Sequence, residues 1–221
     1  MGSIVNSRKT NYSYWSGPLL WILSIQYYVI QLIVALDWRL PYSLKHNTIS
    51  DLGNTACRTY NDSFVCSPLH NLMNGSFVLL GLTMTVGSLL IQSSLTKTKR
   101  QKIGIRFMIL AGIGTILVGL LPENTVASLH ILGAALPFIF GNLAIILLGI
   151  ELPLSKPLKY YSIISGIVAL LAVILFITHF YLGIGRGGME RIVAYPQSVW
   201  MIIIGFYLIY SGVLKRRQHK P

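Results

Sequence analysis

The chain has 221 residues, 53% of them hydrophobic and only 11% charged, with a mean hydropathy of +0.64 and a formal charge of +12. Soluble domains carry about a quarter charged residues, so composition excludes a soluble enzyme, a disordered chain and a disulfide-rich secreted module. A basic excess in a soluble protein points to nucleic acid, but here the placement of the charges supplies another reason.

Crossing ~30 Å of hydrocarbon takes ~20 apolar residues, and six such stretches follow in order: Trp15–Leu36, His70–Ile91, Ile103–Leu121, Ser128–Ile150, Tyr161–Gly183 and Pro196–Val213. Each must be helical, because unpaired backbone groups find no water in lipid. The expected fold is all-α, a polytopic six-transmembrane-helix bundle, with residues 1–221 forming a single transmembrane domain. The first span is too long for a cleavable signal peptide, and Asn6 replaces the Ser or Thr that myristoylation after Met-Gly prefers.

Charge sets the orientation. The connections Asp37–Leu69, Pro122–Ala127 and Ile184–Tyr195 hold five basic residues, Arg39, Lys45, Arg58, Arg186 and Arg191. The other side holds thirteen: Arg8, Lys9, Lys97, Lys99, Arg100, Lys102, Arg106, Lys156, Lys159, Lys215, Arg216, Arg217 and Lys220. The positive-inside rule then puts both termini in the cytoplasm. Five of the six acids, Asp37, Asp51, Asp62, Glu123 and Glu190, fall on the outer side, leaving Glu151 inside. The basic pI is thus a topology signal plus attraction to anionic lipid, and no nucleic-acid partner is expected.

The outer connection 37–69 is too long for a plain turn and contains both cysteines. Facing an oxidising compartment, Cys57 and Cys66 favour a disulfide over a thiolate metal pair, which usually has closer spacing. Asn61-Asp62-Ser63 is a glycosylation sequon that matters only in a eukaryotic host.

Two spans open alike. Leu69-His70-Asn-Leu72 reaches Gly81 eleven residues after its histidine, and Leu129-His130-Ile-Leu132 reaches Gly141 at the same offset. This suggests a helix-hairpin repeat with His70 and His130 at matched depth near the outer surface. Asn74 lies one turn below His70. Asp51 and Asn54 in the first outer loop, Glu123 and Asn124 before span four, His179 after span five, and Glu190 with Arg191 collect at the same end. Ionisable groups at membrane depth default to a functional hypothesis; the alternative is a set of interfacial groups bonded to one another. Asn142, ~18 Å further down span four, reads as interhelical glue, and Ala111, Thr115 and Gly119 as a packing stripe. Gly183-Ile-Gly-Arg-Gly-Gly188 lacks the strand and Lys-Ser/Thr of a phosphate loop and reads as a flexible outer turn. Tyr14, Trp15, Tyr160, Tyr161, Tyr195 and Trp200 read as interfacial aromatics.

The segments Ile49-Ser-Asp-Leu-Gly53, Cys66-Ser-Pro-Leu-His70 with Met73-Asn74, Gly119-Leu-Leu-Pro-Glu-Asn124, Leu129-His130 and Met189-Glu-Arg191 with Tyr195-Pro196 resemble the prokaryotic membrane proteins grouped as domain of unknown function 998. That resemblance implies six helices and no established activity, in the plasma membrane of a bacterium or archaeon. Ile49, Ser50, Asp51 and Gly53 also resemble the Ile-Ser-Asp-Thr-Gly motif of the Frag/DRAM/Sfk group, which implies a role in lipid organisation. Ser67-Pro-Leu-His70 resembles part of the zinc site of ceramidase-like hydrolases, without the late His-x-x-x-His pair those proteins carry.

Three functions follow as expectations. The first is a protein that binds a membrane lipid or its headgroup in an outer polar pocket of Asp51, Asn54, His70, Asn74, Glu123, Asn124, His130, Glu190 and Arg191. The second is a metal-dependent hydrolase or transferase acting on a lipid, with zinc on His70, His130 and His179 and with Asp51 or Glu123 as the catalytic base. The third, a transporter, is disfavoured by a bundle middle almost free of charge, since transport sites usually lie near the midplane.

Overall fold

The computed structural model describes residues 15–60, 63–95 and 98–218. Tyr14, the sequon residues Asn61 and Asp62, and the basic residues Arg8, Lys9, Lys97 and Lys220 lie outside the described residues, as do the side chains of Lys215, Arg216 and Arg217.

Among the described residues, six helices are long and apolar enough to cross a membrane: α1 (Trp15–Leu36), α2 (His70–Gln92), α3 (Lys99–Leu120), α4 (Ala127–Glu151), α5 (Lys156–Ile177) and α6 (Gly185–Gly212). The chain is an all-α, multi-pass membrane bundle. The boundaries reflect local chemistry. Thr98 and Gln101 form a reciprocal capping box that starts α3 earlier than its apolar run. Pro157 in the first turn of α5 lets that helix begin at Lys156.

The largest departure from expectation is α6. It begins at Gly185 instead of Pro196, with Pro196 inside the helix. The glycine-rich segment expected as a turn is therefore mostly the first turn of a helix. Gly187 N–H donates to Lys45 O at 3.0 Å, and a Cβ on Gly187 would lie 2.1 Å from Asn47 O. The glycines are needed because the first connection packs directly on the helix backbone here.

α4 is interrupted by a π-helical turn, Pro137–Gly141. A proline inside a helix removes a backbone donor, and wider turns relieve the resulting mismatch. Asn142 Nδ2 donates to Phe138 O at 2.8 Å and to Val193 O at 3.0 Å, tying α4 to α6 as expected of interhelical glue. Trp200 is a correction: it is fully buried, tilted against Trp21 with ring centroids 5.5 Å apart, and bonded through Nε1 to Ser162. Tyr195 is likewise an inward group, donating to Gln31 Oε1 at 2.8 Å. Indole and phenol donors find partners between helices as readily as at an interface.

The connection between α1 and α2 carries a short 3-10 helix, Ser50–Gly53, and a two-stranded hairpin, β1 (Arg58–Tyr60) with β2 (Ser63–Val65). The Cys57–Cys66 disulfide closes that hairpin.

Candidate functional site

The site is built where the 3-10 helix is drawn into the end of the bundle. Thr48 N–H donates to Asp51 Oδ2 at 2.7 Å, and Asp51 N–H returns a bond to Thr48 Oγ1 at 3.0 Å. This exchange satisfies the orphan donors at the start of the turn. Glu190, on the first turns of α6, accepts from Ile49 N–H through Oε2 and from Ser50 Oγ at 3.1 Å through Oε1. Ser50 Oγ also contacts His130 of α4, whose Nε2 is 3.1 Å away. His130 Nδ1 lies 2.7 Å from Leu121 O. A carbonyl only accepts, so Nδ1 carries a proton and the ring is fixed.

A second pair of acids lies beside this chain. Asn54 Nδ2 donates to Glu123 Oε1 at 3.2 Å, and the Glu123 carboxyl is hydrogen-bonded to Asp51. Two carboxyls in contact must share a proton. Burial first, and then the neighbouring Asp51, push Glu123 up to about 9, so it is neutral at pH 7. Asp51, Glu123, His130 and Glu190 are only 2%, 5%, 5% and 4% exposed.

Arg191 clamps the first connection onto α6. Its Nη1 donates to Leu44 O, Asn47 O and Gly187 O at 3.1, 2.9 and 2.7 Å, and its Nη2 donates to Tyr42 Oη. Tyr42 Oη in turn donates to Thr48 O at 2.7 Å.

Between α4, α5 and α6 a crevice of about 410 Å³ opens from these groups. Its polar end holds Ser50, Tyr60, Glu123, His130, Arg186 and Glu190. Its walls are apolar, with Ala134, Ala135 and Phe138 of α4 facing Val173, Phe176 and Ile177 of α5. From His130 to Ile139 the lined stretch of α4 rises ~14 Å, about half the hydrocarbon thickness. On the inner side of Ser50 lies a smaller cavity of about 40 Å³, also lined by Glu190, Gln197 and Ser198. Gln197 Oε1 is buried without a hydrogen-bond partner.

Of the residues expected in the pocket, Glu123, His130 and Glu190 line the crevice, while Asp51 and Asn54 support it from behind. Asn124 instead joins Thr55, accepting from its N–H at 3.0 Å. Asn74 holds Gly53 O at 2.9 Å. Arg191 lines other surfaces of α6. His70 begins α2, half-buried, with Nδ1 2.8 Å from Ser67 O. It shares with His130 a place at a helix start, but not the crevice. His179 is exposed and pairs through Nδ1 with Tyr181 Oη at 2.9 Å.

The expected zinc ligands therefore do not converge. His70 and His179 each bond locally, and both ring nitrogens of His130 are engaged. Among the described residues no group of three or more His, Cys, Asp and Glu side chains is placed to hold a metal ion. Sequence reasoning passed over Ser50, Tyr60 and Arg186. Ser50 stood inside the quoted Ile49–Gly53 segment, but only the fold shows that its hydroxyl bridges α4 and α6.

No curated protein and no solved structure matches the chain. A family profile does, over residues 22–207, which takes in all the elements that build the crevice. The chain belongs to the family described as Protein of unknown function (DUF998).

Proposed function

We propose that this protein binds a membrane lipid through the crevice between α4, α5 and α6, with the headgroup region at the polar end and an acyl chain along the apolar walls. The observation that carries this reading is the shape and lining of the crevice. It has one polar end with both acid and base groups, and an apolar trough about one leaflet long. Ligand pockets generally combine apolar walls with a few polar groups that fix orientation. Ile131 and Ile177, at the rim, are each 67% exposed, as suits side chains facing acyl chains. The charge bias favours the outer side of a plasma membrane for this end, so the lipid proposed is one of the outer leaflet.

The polar end carries groups of both signs, with Glu190 a buried acid and Arg186 a lining cation. A zwitterionic, hydroxylated or ester-linked head fits better than a bare phosphate. The test is native mass spectrometry of protein released from nanodiscs of one defined zwitterionic phospholipid. Wild-type protein is expected to retain lipid adducts, and Ala135→Trp, which fills the trough, to lose them while keeping its helical circular dichroism. Equal retention by the two proteins would overturn the reading.

A further inference from the structure

We infer that Ser50 is a nucleophile and that the crevice is the substrate channel of a metal-independent esterase acting on an ester-linked acyl chain of a membrane lipid. This rests on the lipid-binding reading and adds a reaction to it.

Position is the first ground. Ser50 sits where the polar end of the crevice meets its apolar walls and faces the inner cavity on its other side. In a bilayer lipid the ester carbonyl also lies at the boundary between head and chain, so a lipid seated in the trough presents its carbonyl at the level of Ser50. Chemistry is the second ground. A serine hydroxyl is a weak nucleophile unless a positioned base takes its proton. Ser50 Oγ contacts two acid–base groups, Glu190 Oε1 at 3.1 Å and His130 Nε2 at 3.1 Å. Both are held from behind, Glu190 by Ile49 N–H and His130 by Leu121 O at 2.7 Å.

The direction of one hydrogen bond assigns their roles: Ser50 Oγ donates to Glu190 Oε1. Two contacts to Ser50 Oγ require two protons, one of them the serine's own. With Ser50 donating to Glu190, His130 Nε2 must donate to Ser50. The resting site is then a carboxylate and an imidazolium bridged by a hydroxyl, with no net charge. On attack the Ser50 Oγ–carbon bond forms while the serine proton passes to Glu190. The ester carbon–oxygen bond then breaks, and His130 gives its Nε2 proton to the departing alkoxide. A water next attacks the acyl-serine and gives a proton to the now neutral His130. Ser50 Oγ leaves and recovers its proton from Glu190. The products are a fatty acid and the de-acylated lipid, and the residues return to their starting states. Departure of the de-acylated lipid frees the polar end of the crevice, which Ser50 and His130 both line, so water can approach the acyl-serine there beside His130 Nε2.

The experiment is labelling of the full-length protein in nanodiscs with a long-chain alkyl fluorophosphonate. Forming the Ser50–phosphorus bond there expels fluoride, which needs no proton from His130. Intact and tandem mass spectrometry should find one adduct, on Ser50, absent from Ser50→Ala. Glu190→Gln, which keeps an acceptor for Ile49 N–H, should slow labelling about 100-fold, as for a lost general base. His130→Gln should leave labelling much less affected, yet depress release of fatty acid from a phosphatidylcholine nanodisc by a similar factor. Native mass spectrometry of the unlabelled wild-type protein should show bound lipid. Lipid retention without any Ser50 adduct would overturn the esterase and leave binding standing. Loss of both would remove the two readings together. Labelling unaffected by Glu190→Gln would overturn the assignment of the base.

Discussion

Glu123→Gln should make this protein more stable at neutral pH, although it deletes a buried acid from the candidate site. The reasoning is linkage. Glu123 titrates near 4.5 in an unfolded, solvated chain and near 9 in the fold, raised by burial and by Asp51. Between those values the folded state holds a proton that the unfolded state has released. Stability contributed by this group is therefore complete below pH 4.5 and falls as pH rises, by about 1.4 kcal/mol per pH unit. At pH 7 the loss is about 3 kcal/mol, and it reaches about 6 kcal/mol near pH 9. Glutamine needs no proton: its oxygen can still accept from Asn54, and its amide can donate to Asp51 where the shared proton was. The variant should match wild type near pH 4 and exceed it by about 3 kcal/mol at pH 7, with the gap still growing at pH 8. Equilibrium unfolding in mixed detergent micelles, run for both proteins across that range, measures the gap directly. A gap that stays constant with pH, or a variant less stable than wild type at pH 7, would refute the shared proton between Asp51 and Glu123.

Three further outcomes are expected. Cys57→Ser with Cys66→Ser opens a hairpin closed over a sequence separation of 9. It should cost about 2–3 kcal/mol of local stability, read as faster proteolysis between β1 and the start of α2. Arg191→Met removes bonds to three carbonyls and to Tyr42, and bonds to charged groups contribute about 1.5–3 kcal/mol each. The segment before Thr48 should become protease-sensitive, with Arg191→Lys intermediate because a point charge cannot reproduce the planar fork. Gly141→Ala would place a Cβ 1.4 Å from Gln197 Oε1, an overpacking worth about 1–3 kcal/mol. Adding Gln197→Ala should recover most of it, seen as non-additive thermal shifts across the four proteins.

What the sequence determined by itself was the solvent of this protein and the outline of its path. Six apolar runs admit only helices in lipid, so the bundle was readable without any tertiary information. The gathering of Asp51, Glu123, His130 and Glu190 was also legible, because alternating hairpins return all three connections to one end. The pairing of Cys57 with Cys66 followed from their closeness in the chain and the compartment that the charge bias implied.

Tertiary structure decided the rest. The start of α6 was hidden because Gly185–Arg191 is polar and glycine-rich, which reads as a turn. It is helical because the first connection packs on it and because Glu190 and Arg191 bond that connection's backbone. Trp200 and Tyr195 read as interface residues by type, yet they face other helices, and an aromatic donor carries no mark of which partner it will find. Matched sequence offsets gave His70 and His130 equal standing, but the fold gives them different partners. His130 meets Ser50 in the crevice, while His70 folds back on its own turn. Ser50 itself was unremarkable in one dimension. It acquires its place because Glu190, 140 residues away, and His130, 80 residues away, both reach one hydroxyl, and no local pattern encodes a contact that three separate segments must make together.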